Sequence, residues 1–442
     1  MKITNAWICT INNNGINPVY GDLLIDDETI KKIIPKKFNG KINRTKSKSG
    51  NTVDAGGRVI TIPFVNFHDH IYSRLAKGVT VKGPTNNFQN ILKNLWWKLD
   101  KALDMEMIKA SAQMASIESI KNGVTYIFDH HSSPNHAKGS LVQIAKVLKK
   151  NNIRSVLAFE TTDRNSGKLS LQGIEENKNF FLNYTGQNIK SMFGLHASFT
   201  LNNTTLKTVS EFVNEYEIGI HIHLCEDPSD RKITKSKTGM LPLQRLKKFN
   251  LLNEKSILSH AIHLTASEFG IIEKYKSAVA INIDSNMNNA VGITKMLQMP
   301  ESLTLLAGTD GMHANPKRTL KNIFLLLRNS GASFDEAFKV IQRIYFNQID
   351  FIKHYFNDFT QLKQNNRADF IIWDYIPPTP FNKNNFWGHF IYGMLESNIH
   401  STFQNGKALM TGGKLSSINE EKSFEEIYKQ GKRLFGKMKR LK

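Results

Sequence analysis

The hydrophobic pattern divides the chain into three stretches. From residue 1 to about 58, short apolar runs at 3–10, 21–25 and 29–34 read as strands, broken by Asn, Gly and Asp turns. Residues 41–51 read as a polar, mobile loop. From Arg58 the pattern changes to short apolar strands alternating with amphipathic helical stretches such as 106–122 and 140–151. The strands are expected at 59–65, 124–128, 155–159, 191–195, 219–223, 256–259, 278–281 and 303–308. Eight strands in strict alternation with helices predict an α/β fold, a parallel (β/α)8 TIM barrel. After about 355 strands return at 368–373, 400–403 and 406–410. The expected domains are a barrel over 59–355, flanked by 1–58 and 356–415, which meet in one small composite β-sandwich. Residues 416–442 form a terminal helix or tail.

Composition narrows the class. A chain of 442 residues is too long for one small core, which suits a large catalytic domain with a satellite. Apolar residues make up 40% and charged residues 22%, ordinary globular values that exclude long disorder. Cys9 and Cys225 provide neither a disulfide framework nor a zinc knuckle. The first residues lack a signal-peptide core, and no window approaches about 20 apolar residues, so a cytoplasmic setting without membrane insertion is expected.

The formal net charge of +21 is the bulk anomaly. It would suit nucleic acid, a membrane surface or an anionic substrate. The lysines are scattered, however, and accompany abundant Asn, Ile and Phe, the profile of an A+T-rich coding sequence. No nucleic-acid partner is therefore expected. The exception is the C-terminal end, where Lys432, Arg433, Lys437, Lys439 and Arg440 surround Leu434, Phe435, Met438 and Leu441. That stretch reads either as a membrane-surface helix or as a helix whose apolar stripe docks on the barrel.

Catalytic groups of a (β/α)8 barrel sit at the C-terminal ends of its strands. The first strand ends His68-Asp69-His70, and two histidines at spacing two point to one side of an extended chain. The fifth ends His221-Ile-His223-Leu-Cys-Glu226, the sixth reaches His260, and the eighth runs to Asp310. Each motif alone is weak. Together, metal-type groups terminate strands one, five, six and eight, and that combination points to a metal-dependent hydrolase.

On these residues the chain resembles the amidohydrolase superfamily, in its mononuclear aminohydrolase and deaminase branch. More narrowly it is similar to SsnA-type aminohydrolases, associated with selenium-dependent purine catabolism. That likeness includes the runs from Asn94, Phe128, Met192 and Asp374. The resemblance implies that His68, His70, His223 and Asp310 bind one divalent metal, Zn²⁺ or Fe²⁺. It implies that Asp310 doubles as general base, that His260 orients the attacking water, and that Glu226 carries a proton to the substrate nitrogen and the leaving amine. Members with two metals use a carboxylated lysine on strand four. Here that strand closes on His196 and Lys190 precedes it, which disfavours a second metal.

Several further residues are candidates for binding substrate. Trp96 and Trp97 are either an aromatic lid over a flat ring or a buried helix face. His130 and His131 end strand two, and Glu160, Asp163 and Arg164 follow strand three. His196, Asn286 and His313 complete the set. At 283, where related enzymes keep a proline, the chain has Ile283. His136, His354, His389 and His400 read as structural or surface residues, and Cys225 is expected to pack away from the metal. The expected activity is deamination of a purine- or pterin-like small molecule by a homo-oligomer, a dimer or larger. Opening of a cyclic amide and removal of chloride are the alternatives within the enzyme class. A basic scaffold or nucleic-acid-binding protein on a retired hydrolase fold is the alternative outside it.

Overall fold

The computed structural model describes residues 1–12, 15–41 and 52–441. Apart from Lys41, the polar loop read at 41–51 lies outside the described residues. The barrel strands are Phe64–Asp69, Val124–His131, Arg154–Phe159, a fourth strand split into Ile189–Ser191 and Phe193–Ala197, then Ile220–Leu224, Ile257–His260, Ala278–Ile281 and Leu305–Ala307. Neighbours pair in parallel, in registers such as Phe64 with Val124 and Ile222 with Leu258. The split fourth strand joins two arcs: Ile189–Ser191 pairs with the third strand, and Phe193–Ala197 pairs with the fifth. A parallel bridge between Asp69 and Asp310 closes the ring.

The helices follow the expected alternation. Met105–Lys121 begins at Asp104, whose side chain accepts the Met107 N–H, and Ser140–Lys150 buries Leu141, Ile144 and Leu148 on one face. Close strand-to-strand approach demands small residues in places. A Cβ on Gly194 would stand 2.3 Å from the Phe159 carbonyl oxygen.

Both ends of the chain build a single mixed sheet of nine strands. The strand Val59–Thr61, read from sequence as the start of the barrel, belongs to this sheet. It runs parallel to Lys2–Asn12 and antiparallel to Phe370–Trp373, so it links the N- and C-terminal strands. Pro63 lies between it and the first barrel strand. Two side-chain contacts support the junction: Trp373 Nε1 donates to Thr61 Oγ1 (2.9 Å), and Arg58 pairs with Asp374 (2.9 Å).

The C-terminal helix Glu420–Arg440 packs along Met105–Lys121. Leu434 is fully buried, and Ile427, Met438 and Leu441 pack against the core. Arg433 and Lys437 reach Asp104 at 2.8 and 2.7 Å. The apolar stripe is therefore docked on the barrel, with Phe424 and Tyr428 of the same helix left exposed. Among the described residues, no helix is long and apolar enough to cross a membrane.

Candidate metal centre and active site

The first barrel strand supplies two imidazoles. His68 and His70 share one side of the extended chain, while Phe67 joins an aromatic cluster with Phe128 and Phe351. Asp69 also faces away from the histidines, where it is buried and held by Arg74 at 2.6 Å. Asn66 Nδ2 donates to Asp69 (2.8 Å) and to Thr309 Oγ1 (2.7 Å), and the Thr309 N–H returns a bond to Asn66 Oδ1 (3.1 Å). Strand one is thus locked to strand eight beside Asp310.

His68, His70, His223 and Asp310 converge, each offering one ligand atom within 4.8 Å of the others. His70 Nε2 lies 3.1 Å from His223 Nε2 and 2.9 Å from Asp310 Oδ1, and His68 Nε2 lies 3.5 Å from the same oxygen. Metal–nitrogen bonds of about 2.0–2.1 Å in a tetrahedral site require ligand separations of about 3.3 Å, so the spacing fits one small divalent cation. The other ring nitrogens are engaged. His70 Nδ1 bonds the His130 carbonyl oxygen (2.6 Å), His223 Nδ1 bonds that of His196 (2.9 Å), and His68 Nδ1 meets His221 Nε2 (2.8 Å). These bonds turn the Nε2 atoms inward. His68 Nε2 is buried with no hydrogen-bond partner, as expected of an atom that needs a cation.

Electrostatics agree. Burial, with neighbouring imidazoles adding to it, holds His223, His221 and His130 well below the usual histidine range, and burial takes His68 down to about 4. These rings are neutral, the form that binds metals. Burial also disfavours charge on His70, but the Asp310 carboxylate beside it outweighs that and raises it to about 9.

A second group adjoins the first. His260 Nε2 lies 3.6 Å from Glu226 Oε2 and 3.8 Å from Asp310 Oδ2, and has no hydrogen-bond partner. Asp310 thus turns one oxygen to the metal ligands and the other to His260. Glu226 is buried, which pushes its carboxyl up to about 7 against the pull of His260, and Asn289 Nδ2 donates to its Oε1 (3.3 Å). His260 and Asp310 have left-handed backbones, with φ of 72° and 53°. Such strain in non-glycine residues concentrates at functional sites.

A cavity opens over both groups. His70, His196, His223, Glu226 and Asp310 line it, with Trp96 and Trp97 among its other walls. Trp96 ends a π-helical turn, Leu92–Trp96, and Trp97 starts the helix Trp97–Ala102. Phe88, Leu92, Phe199, Ile262 and Val291 form a small hydrophobic cluster there, apart from the main core, with both tryptophans packed on it. The two tryptophans therefore wall the cavity and are not a plain buried helix face.

Residues 59–409 match the amidohydrolase family. The chain belongs to the amidohydrolase family. A 5'-deoxyadenosine deaminase of Methanocaldococcus jannaschii is 24% identical over 424 residues, which cover 94% of this chain and 97% of that protein. Atrazine chlorohydrolase from Arthrobacter aurescens, solved with zinc, superposes with a TM-score of 0.80 at 16% identity and covers 97% of this chain and 99% of its own. An adenosine deaminase from Xanthomonas campestris with bound zinc gives a TM-score of 0.77 at 16% identity and covers 98% of each chain. This amidohydrolase is accordingly a metal-dependent hydrolase of carbon–nitrogen bonds.

The structure brings Trp96, Trp97, Glu160, Arg164 and His196 to the cavity, along with the metal-type residues. Other sequence candidates stand elsewhere. His130 is buried behind the ligands, with Nε2 between the carbonyl oxygens of Leu195 and His221 (3.1 Å each). His131 bonds Ser133 (2.8 Å). Asp163 ties its own loop together through Ser170, Thr205 and the Asn202 N–H. Asn286 supports His260 Nδ1 (2.8 Å), and His313 faces Asp284 (3.4 Å). Asn286 belongs to the short helix Ile283–Asn288, which begins at the residue replacing the expected proline. These side chains turn away because a strand-end position says which end of the barrel a residue occupies, not which way it points. Sequence reading missed Tyr72, Asp100 and Asn289 in the cavity wall and His221 behind His68. Asp100 was legible in principle, since it lies three and four residues beyond the tryptophans on one helical face.

Proposed function

We propose that this amidohydrolase is an aminohydrolase that replaces the amino group of a purine-like ring with oxygen, using one divalent metal per chain. The observation that carries the reading is the junction of the two groups. Glu226 and His260 lie against the free oxygen of Asp310, whose other oxygen joins three converging imidazoles beneath an aromatic-walled cavity. The deaminase names of similar proteins support it.

His68, His70, His223 and Asp310 would hold the metal, and zinc in the similar structures favours Zn²⁺ over Fe²⁺. When bound, such a cation lowers the pKa of water toward about 7. Asp310 Oδ2 then accepts a proton from the attacking water, and His260 orients that water through Nε2. Glu226 delivers its own proton to a ring nitrogen, takes up the one that Asp310 drew from the water and passes it to the departing amine, and recovers the last from the added hydroxyl as the carbonyl forms, a role suited to a carboxyl raised to about 7. Trp96 and Trp97 form an aromatic wall against the flat ring and exclude bulk water. A further metal-type group, His130 with Glu160 and His223, competes for the same histidine. His223 Nδ1 is already engaged, so only Nε2 is available to either group, which supports a single metal.

Metal analysis followed by ammonia release from purines and pterins tests the reading. It expects one metal per chain and ammonia as product. Chloride release from a triazine, or ring opening without ammonia, would move the assignment to the chlorohydrolase or cyclic-amidase alternative. Two bridged metals would overturn the mononuclear site. A cytoplasmic homo-oligomer belongs to the same reading, and light scattering of the purified chain checks the oligomer.

A further inference from the structure

The chain carries a net charge of +21, yet the cavity wall has the opposite character. Asp100, Glu160, Glu226, Asp227, Asp230 and Asp310 line it, and Arg164 is the one guanidinium among them. Burial pushes Glu226, Asp100 and Asp230 up, yet six acids stand there against Arg164 and a divalent cation. The surplus basic charge of the protein lies outside this wall, so it says nothing in favour of an anionic substrate.

Both terminal nitrogens of Arg164 are already paired with acids, and only its Nε is without a partner. Its Nη1 donates to Glu160 Oε1 (2.7 Å) and its Nη2 to Asp100 Oδ2 (2.5 Å). The guanidinium lies over the Trp97 ring at 5.4 Å. Both carboxylates are almost wholly buried, at 3% and 4% side-chain exposure, so each charge is poorly hydrated. Asp100 also keeps an oxygen in reserve. Asp100 Oδ1 faces the Tyr72 and Ser132 hydroxyls without a bond of good geometry. Glu160 Oε2 stands 3.7 Å from His130 Nδ1, a buried nitrogen that itself has no partner. A buried acceptor in the cavity wall that lacks a bond of good geometry calls for a donor, and a bound ring can bring one.

Resting on the reading of this cavity as the substrate pocket, we propose that Asp100 and Glu160, held by Arg164, form a wall that reads donors and excludes anions. The substrate is a neutral or cationic nitrogen heterocycle that turns N–H or O–H groups toward this wall. Analogues bearing phosphate or carboxylate are rejected. A purely structural salt-bridge cluster would tie residues 88–102 to the loop after strand three and leave charge preference untouched, so charge preference decides between the two roles.

The test is equilibrium binding to the zinc-loaded, full-length Glu226→Gln protein, which binds without turning over. A series varies the charge of the 5' group: 5'-amino-5'-deoxyadenosine (+1), adenosine (neutral) and adenosine 5'-monophosphate (about −2). The amine is expected to bind most tightly and the phosphate at least about a hundredfold more weakly than the amine, as unit charges a few ångströms apart in a partly dry site require. Asp100→Asn and Glu160→Gln, each added singly, should narrow that ratio about tenfold, and having two variants guards against one that fails to fold. Equal affinity for phosphate and amine overturns the proposal, as does a ratio unchanged in both folded variants. Failure of the whole series to bind overturns it too. Ammonia release by the unmutated enzyme from a purine or pterin panel reports separately on the aminohydrolase reading, which stands or falls by that result alone.

Discussion

Gly308 has no room for a side chain. A Cβ there would lie 2.3 Å from Asn282 Oδ1 and 2.7 Å from His68 Cβ, so the backbone before Asp310 presses on a metal ligand. Gly308→Ala is expected to cost about 1–3 kcal/mol in stability and to weaken metal binding by moving His68. Denaturation and metal titration of the variant check both, and unchanged metal affinity would show that His68 is not held by this contact. His221 acts behind the same ligand. His221→Phe keeps a ring but removes the acceptor of the His68 bond, and metal affinity should fall about 10–100-fold, the usual effect of losing such a supporting partner. Glu226 is the opposite case. Glu226→Gln should keep one metal per chain while kcat falls about 10²–10⁴-fold, with a smaller change in KM, because proton delivery matters in the transition state. Loss of the metal instead would make Glu226 a ligand. His68, His70 and His223 stood out in the sequence as metal-type groups at strand ends, and the family resemblance supplied the roles expected of them and of Glu226. His221 and Gly308 acquire their roles only when strands one, five and eight are side by side.

The strands and helices of the barrel formed close to where periodicity placed them, because alternation of period two and of period 3.6 is a local property. Deviations came where tertiary contact overrode it. Residues 59–61 continue the apolar run of the first barrel strand, yet pair with both chain ends in the terminal sheet. The helix Pro316–Asn329 has another local conflict, since its first turn buries Lys317, whose Nζ donates to the Ser397 carbonyl oxygen (2.8 Å). A cation at a helix N-terminus opposes the helix dipole, and burial pushes this lysine down to about 8. The unfolded value is about 10.4. Below about pH 8 both states hold the proton, and the cost of burying it is present in full. Between about pH 8 and pH 10.4 the unfolded chain binds more protons than the folded one, so stability rises with pH. The wild type should therefore gain stability relative to Lys317→Met as pH rises from 7.5 to 10. Paired denaturation curves measure this, and a gap constant across that range would show that Lys317 keeps its ordinary proton affinity.

The whole molecule is a closed barrel with a sheet that neither terminus completes alone, and the proposed metal site lies where the ring closes. Asn66 and Thr309, 243 residues apart, bond directly beneath the ligands. Metal should consequently stabilise the native state as a ligand without being needed to form it, because the main hydrophobic core runs through barrel and sheet independently of the site. Chelation is expected to lower the unfolding midpoint, by an amount equivalent to about 2.7 kcal/mol if free metal had been held at a hundred times its dissociation constant, while far-ultraviolet circular dichroism at 25 °C stays the same. A chelated protein that lost its helical signal would contradict that independence.

The sequence by itself determined the order of strands and helices, the barrel they imply, and the identity of the metal-type residues at four strand ends. These are consequences of periodicity and covalent spacing, which act over a few residues. Only the tertiary structure decided which ring nitrogens face one another and which strand-end residues turn away. His131, Asp163, Asn286 and His313 look as functional as His196 in sequence, yet each is taken up by a partner outside the cavity wall. The charge of the pocket was also beyond the sequence. A net +21 describes the sum of the side chains, whereas a substrate meets the few that closure of the barrel gathers from distant segments, and the charged ones among those are mostly acids.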